Sequence, residues 1–377
     1  VVWLSLQYFG FPVDYYDYMF PDLPHKNAKV TMIGNWGNPK QFGSQIFLKH
    51  YKEYTPDLVF LMGDPYLLPY YTKLKKQLGF PLLHYITLDG TPIYPTWLKY
   101  LNVPNVLVTM TNWAHQEYSK VGVDSVTIPH GINWSWWTTT KENKLLTKKQ
   151  FDLENDKVFI SWDTNQHRKR LDALLRCWRR FKPEYKDAKL ILYTDWDCRL
   201  GWNIENLIKQ YHVPRDTILS PKELTGQDKL WENAESVTKL KETVQMGDVY
   251  VSTTSGEGFG VCLVEAQALS MPVIAPDYSS IPEVVQSGLH IPLYRGRAGK
   301  FRYHDNVRTV EGGIVNESKF TEALNSLYAN NKMCDKMSGL AREKSRIFDF
   351  DNIMPLWLNL LRQIDPNIIM AKELGLL

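Results

Sequence analysis

Between Asp248 and Val285 the chain reads DVYVSTTSGEGFGVCLVEAQALSMPVIAPDYSSIPEVV, and this stretch limits the fold more than any other. Val249 to Ser252 has the apolar run of a buried strand, Gly256-Glu257-Gly258-Phe259-Gly260 is a glycine-rich turn, and a helix is expected from Val261 to Ser270. Two carboxylates bracket the turn. Glu257 lies in it, and Glu265 stands just over one helical turn into a segment that is otherwise nearly all apolar. An ionised carboxylate on a buried helix is costly unless it faces a partner or a polar ligand. The glycines permit close backbone approach, and the helix start offers unpaired amides and a positive dipole end suited to phosphate.

The Glu-x7-Glu spacing of Glu257 and Glu265, followed by Pro272-Val273-Ile274-Ala275 and Ile281-Pro282-Glu283-Val284-Val285, resembles the donor-site signature of retaining glycosyltransferases of family 4. That resemblance implies the GT-B architecture, two Rossmann-like α/β domains whose parallel sheets face an interdomain cleft. It implies that Glu257 lies beside the donor sugar, with Phe259 and Gly260, and that Glu265 holds the nucleotide ribose. Backbone amides from Gly258 to Val261 would meet the diphosphate. Without the surrounding string, the same two glutamates would favour a glycine-rich loop capping a core helix, with Glu265 in a salt bridge.

At 377 residues the chain suits two domains of ordinary size. The expected division is an acceptor-side unit at 1–145, a nucleotide-sugar-binding unit at 146–345, and a helix at 346–377 crossing back to the first. A net charge of +3 implies no strong polyanion partner, so no nucleic acid is expected. Its distribution is more telling: the first Arg is Arg168, and Arg suits bidentate phosphate contact better than Lys. Four scattered cysteines form no Cys-x-x-Cys or Cys/His cluster, which points to free thiols and no zinc site. No apolar run reaches the length of a membrane span, and a cytoplasmic protein is expected. Peripheral membrane contact stays open through the family resemblance alone.

In the first half, strands are expected near residues 1–6, 29–34, 57–62, 82–87, 106–111 and 125–128, with helices between them. Such alternation argues a parallel sheet covered on both faces, with ligands beyond the carboxyl ends of its strands. Gly10 falls in the loop after the first strand, where relatives place a glycine-containing loop. The tyrosine-rich Asp14 to Phe20 is expected to pack. His84 is either a satisfied core group or, as the resemblance implies, a residue close to the transferred sugar. Asp89 is a turn former or a ligand of acceptor or sugar hydroxyls. Pro129-His130-Gly131 resembles the family's Pro-Asn-Gly turn, with His130 in place of asparagine. Residues 134–150 read as a polar linker headed by three tryptophans.

In the second half the loop from Asp163 to Arg170 carries the other chemical feature. A departing diphosphate develops negative charge, which fixed cations and helix-end amides can neutralise without a metal. Arg168 and Lys169 stand where the family places its basic residues; Asp163 occupies the place of the usual arginine, and either Arg168 or Arg170 supplies the missing cation. Ser220, in the loop after the strand at 217–219, matches the position that holds the base in relatives.

Together these features predict a retaining, metal-independent glycosyltransferase that moves a hexose from a UDP- or GDP-sugar to a sugar, glycan, lipid or protein hydroxyl. No cofactor is expected beyond the nucleotide-sugar substrate. A GT-B sugar-nucleotide epimerase and a catalytically silent nucleotide-sugar binding protein are the competing expectations. A nicotinamide dehydrogenase is not expected, because no Gly-x-Gly-x-x-Gly follows the first strand.

Overall fold

The computed structural model describes residues 2–4, 15–19, 29–33, 44–182, 185–199, 201–226, 236–302 and 310–364. Gly10 and its loop, and the stretches 227–235 and 303–309, lie outside them. At the N-terminal end, β1 (Val2–Leu4), β2 (Tyr15–Met19) and β3 (Lys29–Ile33) make a small sheet in which β1 runs parallel to β3 and β2 antiparallel to it. The tyrosine-rich segment is thus a strand, as aromatic residues favour a pleated surface.

After α1 (Ser44–Tyr54) come β4 (Val59–Gly63), α2 (Leu68–Leu78), β5 (Leu82–Ile86), α3 (Pro95–Leu101), β6 (Val106–Thr109), α4 (Asn112–Ser119) and β7 (Val126–Thr127). The four strands pair in parallel in that order. All five residues of β5 are buried, as a strand covered on both faces requires.

The stretch read as a linker is two helices, α5 (Trp134–Trp137) and α6 (Lys141–Gln150). Caps explain it: the Asn133 side chain accepts from the Trp136 amide at 3.0 Å and Thr140 from the Asn143 amide at 3.1 Å.

The second unit contains β8 (Lys157–Ser161), α7 (Leu171–Phe181), β9 (Ala188–Leu192), α8 (Ile204–Gln210), β10 (Ile218–Leu219), α9 (Pro221–Thr225), α10 (Ser236–Val244), β11 (Val249–Val251) and α11 (Val261–Ala268). It continues through β12 (Val273–Pro276), α12 (Ile281–Val284), β13 (Gly288–Ile291), the hairpin strands β14 (Lys300–Arg302) and β15 (Glu311–Gly313), then α13 (Glu317–Ala329) and α14 (Asn331–Ser345). Its six-stranded parallel sheet has the order β10-β9-β8-β11-β12-β13.

The last helix, α15 (Phe350–Ile364), lies on the first unit. Ile132 exchanges backbone hydrogen bonds with Phe348 and Phe350, and Trp357 meets the Tyr85 ring edge-on at 4.9 Å. One apolar core therefore joins Tyr85 and Val108 of the first sheet to Ile160 of the second, Val264 of α11 and Ile353 of α15. Among the described residues no helix is long and apolar enough to cross a membrane.

Candidate active site

The carboxyl ends of β4, β5 and β8 and the glycine turn before α11 converge on one cavity of about 310 Å³. Asp64, Thr87, Asp89 and His130 line it from the first unit, and Asp163, Arg168, Lys169 and residues 257–263 from the second. This is where the topology of parallel α/β sheets places a ligand.

Its floor is an ion-pair network. The Lys169 ammonium donates to Asp163 Oδ1 at 2.8 Å and to Glu257 Oε1 at 2.5 Å, and Ser252 Oγ donates to the other Asp163 oxygen at 2.6 Å. Arg168 Nη1 reaches Glu257 Oε2 at 3.2 Å and the Gly256 carbonyl at 2.9 Å, while its Nε lies 3.7 Å from Asp89. Burial alone would raise the Glu257 carboxyl; Lys169, and then Arg168, overcome that and hold it well below the usual carboxylate range. Burial likewise opposes the Lys169 charge, and Asp163 and Glu257 push its pKa up instead.

The backbone fixes Arg168 in place. Its carbonyl accepts from both the amide and the hydroxyl of Ser255 at 2.7 Å. The next residue but one, Arg170, adopts a left-handed φ of 51° and turns away into a two-bond pair with Asp172 at 2.9 and 3.0 Å. Of the two arginines expected to replace the missing cation, Arg168 lines the cavity and Arg170 does not.

The turn needs its glycines. A Cβ on Gly258 would come 2.8 Å from Thr87 Cβ, and Gly260 adopts a φ of 89° at the N-cap of α11. Ser279 Oγ accepts from the Glu257 amide at 3.0 Å, and Ser280 Oγ donates to the Glu257 carbonyl at 2.7 Å. Gly258, Phe259, Gly260 and Val261 all line the cavity, and the first turn of α11 opens from them. The Phe259 ring stacks on His130 at 5.7 Å.

Glu265 stands one helical turn beyond the lining residues Val261 and Cys262 and is not itself in the lining. Trp162 Nε1 donates to its Oε2 at 3.0 Å, and the Trp162 ring stacks on Trp137 of α5. Burial pushes the Glu265 carboxyl up to about 7, the indole hydrogen bond only partly opposing it.

His84 and Ser220 fall outside the cavity lining. His84 is fully buried two residues before the end of β5, with Nε2 on the Gly63 carbonyl at 3.0 Å, and burial lowers its pKa to about 4. It sits in the core with only Nε2 paired, its buried Nδ1 making no hydrogen bond among the described residues, and Thr87 and Asp89 beyond it line the cavity. Ser220 caps α9, forming a capping box with Glu223.

The sequence reading missed Asp64, whose carboxylate accepts from Thr87 Oγ1. It also missed Glu283, which accepts from the backbone amides of Asn112 and Trp113 at 2.9 and 3.0 Å, and so joins the second unit to the start of α4. Neither residue's partner is adjacent in the chain, and the string Ile281 to Val285 carries the family resemblance without revealing the contact of Glu283.

The family model described as glycosyl transferases group 1 matches residues 143–344, more than half of the chain, and contains Arg168, Lys169, Glu257 and Glu265. N-acetyl-alpha-D-glucosaminyl L-malate synthase of Bacillus anthracis is 28% identical over 151 residues, which are 39% of this chain and 35% of that protein. The chain thus spans about a third of the length of that curated relative. Among solved structures, Anabaena HepE in complex with UDP-glucose superimposes with a TM-score of 0.65 at 13% identity, covering 89% of this chain and 86% of that one. Sucrose-phosphate synthase from Thermosynechococcus elongatus gives a TM-score of 0.66 at 14% identity, with coverages of 89% and 83%. At such identities the superpositions speak for the fold, which is GT-B. With the family match laid over the glycine turn and its cations, the chain belongs to the glycosyl transferases group 1 family.

Proposed function

We propose that this chain is a retaining glycosyltransferase that transfers a hexose from a nucleotide-diphosphate sugar, with a UDP-sugar as the leading donor. The single observation that carries the reading is the cavity in which Glu257, Arg168 and Lys169 meet the backbone of Gly258 to Val261. HepE, solved with UDP-glucose, has the same fold and supports the choice of base. In this reading residues 1–145 form the acceptor-side domain and 146–345 the donor-binding domain, with 346–377 returning to the first.

The family resemblance and the chemistry of each group together assign the parts. Arg168 and the amides at the start of α11 stabilise the leaving diphosphate as its charge develops. Lys169, shared between Asp163 and Glu257, holds the Glu257 carboxylate against the donor sugar. Glu265 accepts hydrogen bonds from the ribose hydroxyls. The family resemblance implies same-face attack: the acceptor oxygen bonds to the anomeric carbon, the carbon–phosphate-oxygen bond breaks, and the acceptor proton passes to the departing phosphate.

Incubation with UDP-, GDP- and ADP-sugars in chelator, reading nucleotide release, tests the proposal. Release from one class of donor is expected. Donor binding without any release or conversion would point to a silent binding protein, and appearance of the epimerised sugar with no new glycosidic bond to an epimerase.

A further inference from the structure

The cavity continues past Asp64, Thr87 and Asp89, which it shares with a narrow recess of about 40 Å³. Tyr66, Tyr94, Trp97 and Tyr118 wall that recess. Tyr118 is fully buried and donates its hydroxyl to the Thr87 carbonyl at 3.3 Å, so one wall is fixed. Tyr94 and Trp97 are half-buried, with ring centroids 6.4 Å apart and planes inclined at 63°. A space of that volume admits the edge of a ring with its substituent, and the two half-buried aromatic rings offer flat apolar faces for the rest.

Charge narrows the occupant further. Among the described residues, Asp64 and Asp89 are the charged groups lining the recess. Across both spaces the described lining holds four carboxylates, Asp64, Asp89, Asp163 and Glu257, against two cations, Arg168 and Lys169. Both cations are engaged by those carboxylates, at 2.5 to 3.7 Å. A bound donor diphosphate adds further negative charge. A phosphate or carboxylate on the acceptor would meet repulsion from this wall, whereas hydroxyl groups find acceptors in it.

We infer that the acceptor is an uncharged carbohydrate, its hydroxyls held by Asp64 and Asp89 and its apolar ring face packed against Tyr94 and Trp97. The inference rests on the glycosyltransferase reading above and names the acceptor class for the same site. It excludes sugar phosphates and hydroxy acids as preferred acceptors.

The test uses the full chain with its best donor and matched acceptor pairs: glucose against glucose 6-phosphate, mannose against mannose 6-phosphate, maltose and other neutral oligosaccharides against L-malate. Nucleotide release above the acceptor-free hydrolytic rate is the readout. The uncharged member of a pair is expected to accelerate release at least tenfold more than its anionic counterpart, and Trp97→Ala to raise KM for that acceptor about tenfold while Trp97→Phe largely restores it. Equal or greater acceleration by the anionic members, or none by any neutral saccharide, overturns the inference while donor hydrolysis persists. Absence of hydrolysis with every donor overturns the donor-site reading along with it, so the two failures are distinguishable.

Discussion

The ammonium of Lys169 stands 2.5 Å from the carboxylate of Glu257, and both side chains are buried. The same ammonium holds Asp163 at 2.8 Å, so one cation serves two buried anions. This explains how the chain tolerates an aspartate where the family resemblance expects an arginine: Asp163 orients Lys169, and Arg168 brings the second positive charge into the cavity.

Removing that cation leaves the buried Asp163 carboxylate without its cation and Glu257 with Arg168 alone. Lys169→Met is expected to lower stability by roughly 3–5 kcal/mol, the cost of breaking a buried pair by deleting one partner. Asp163→Asn in the same chain should recover part of the loss. Thermal unfolding of the single and double variants checks this, and additive losses would show that the two side chains are not coupled.

Arg168 and Arg170 should separate in kinetics. Arg168→Ala is expected to lower kcat by about 10²-fold with a smaller change in donor KM, as for a group that acts on developing charge. Arg170→Ala, which lies outside the cavity in its pair with Asp172, should keep kcat within about twofold. Equal losses in both would contradict the placement.

If Glu265 holds the ribose as proposed, stability and binding should depend on pH in opposite senses. Its folded value, about 7, lies above its ordinary value of 4.5, so the folded chain holds this proton more tightly than the unfolded one. The resulting stabilisation is full below pH 4.5 and is lost as pH rises to about 7. Glu265→Gln should therefore unfold later than the parent at pH 8, by about 3 kcal/mol at most. Ribose hydroxyls need the ionised carboxylate, so nucleotide affinity should rise about tenfold from pH 6 to pH 8 in the parent and stay flat in the variant. Titration calorimetry at both pH values reads this directly.

Glu283 reaches across the molecule to the first two amides of α4, where a carboxylate also meets the positive end of the helix. Glu283→Ala should cost about 2 kcal/mol and let the two units separate more readily. Small-angle scattering without donor is expected to give a larger radius of gyration for the variant than for the parent; identical values would show that the contact does not hold the cleft.

The glycine turn was legible because its constraint is local: Gly258 and Gly260 stand where a side chain would collide or strain the backbone, and that requirement is written in the residues themselves. Arg168 and Lys169 were legible as cations on the right loop. Their partners were not, since Asp163–Ser252 and Arg168–Asp89 join residues that only the folded sheets bring together. His84 shows the limit of reading a strand end from sequence. β5 is buried along its whole length, so His84 lies in the core, and the side chains that meet the cavity begin at Thr87. The tryptophans at 134–137 concealed a short capped helix, whose Trp137 stacks on the ring that holds Glu265.

The most direct measurement is a crystal structure of the chain with a UDP-sugar bound. The account predicts the diphosphate within hydrogen-bonding distance of Arg168 and the amides at the start of α11, the sugar beside Glu257, and the ribose hydroxyls on Glu265. A nucleotide sugar bound elsewhere, with the pairs of Lys169 and Arg168 to Glu257 unaltered and the cavity unfilled, would contradict it.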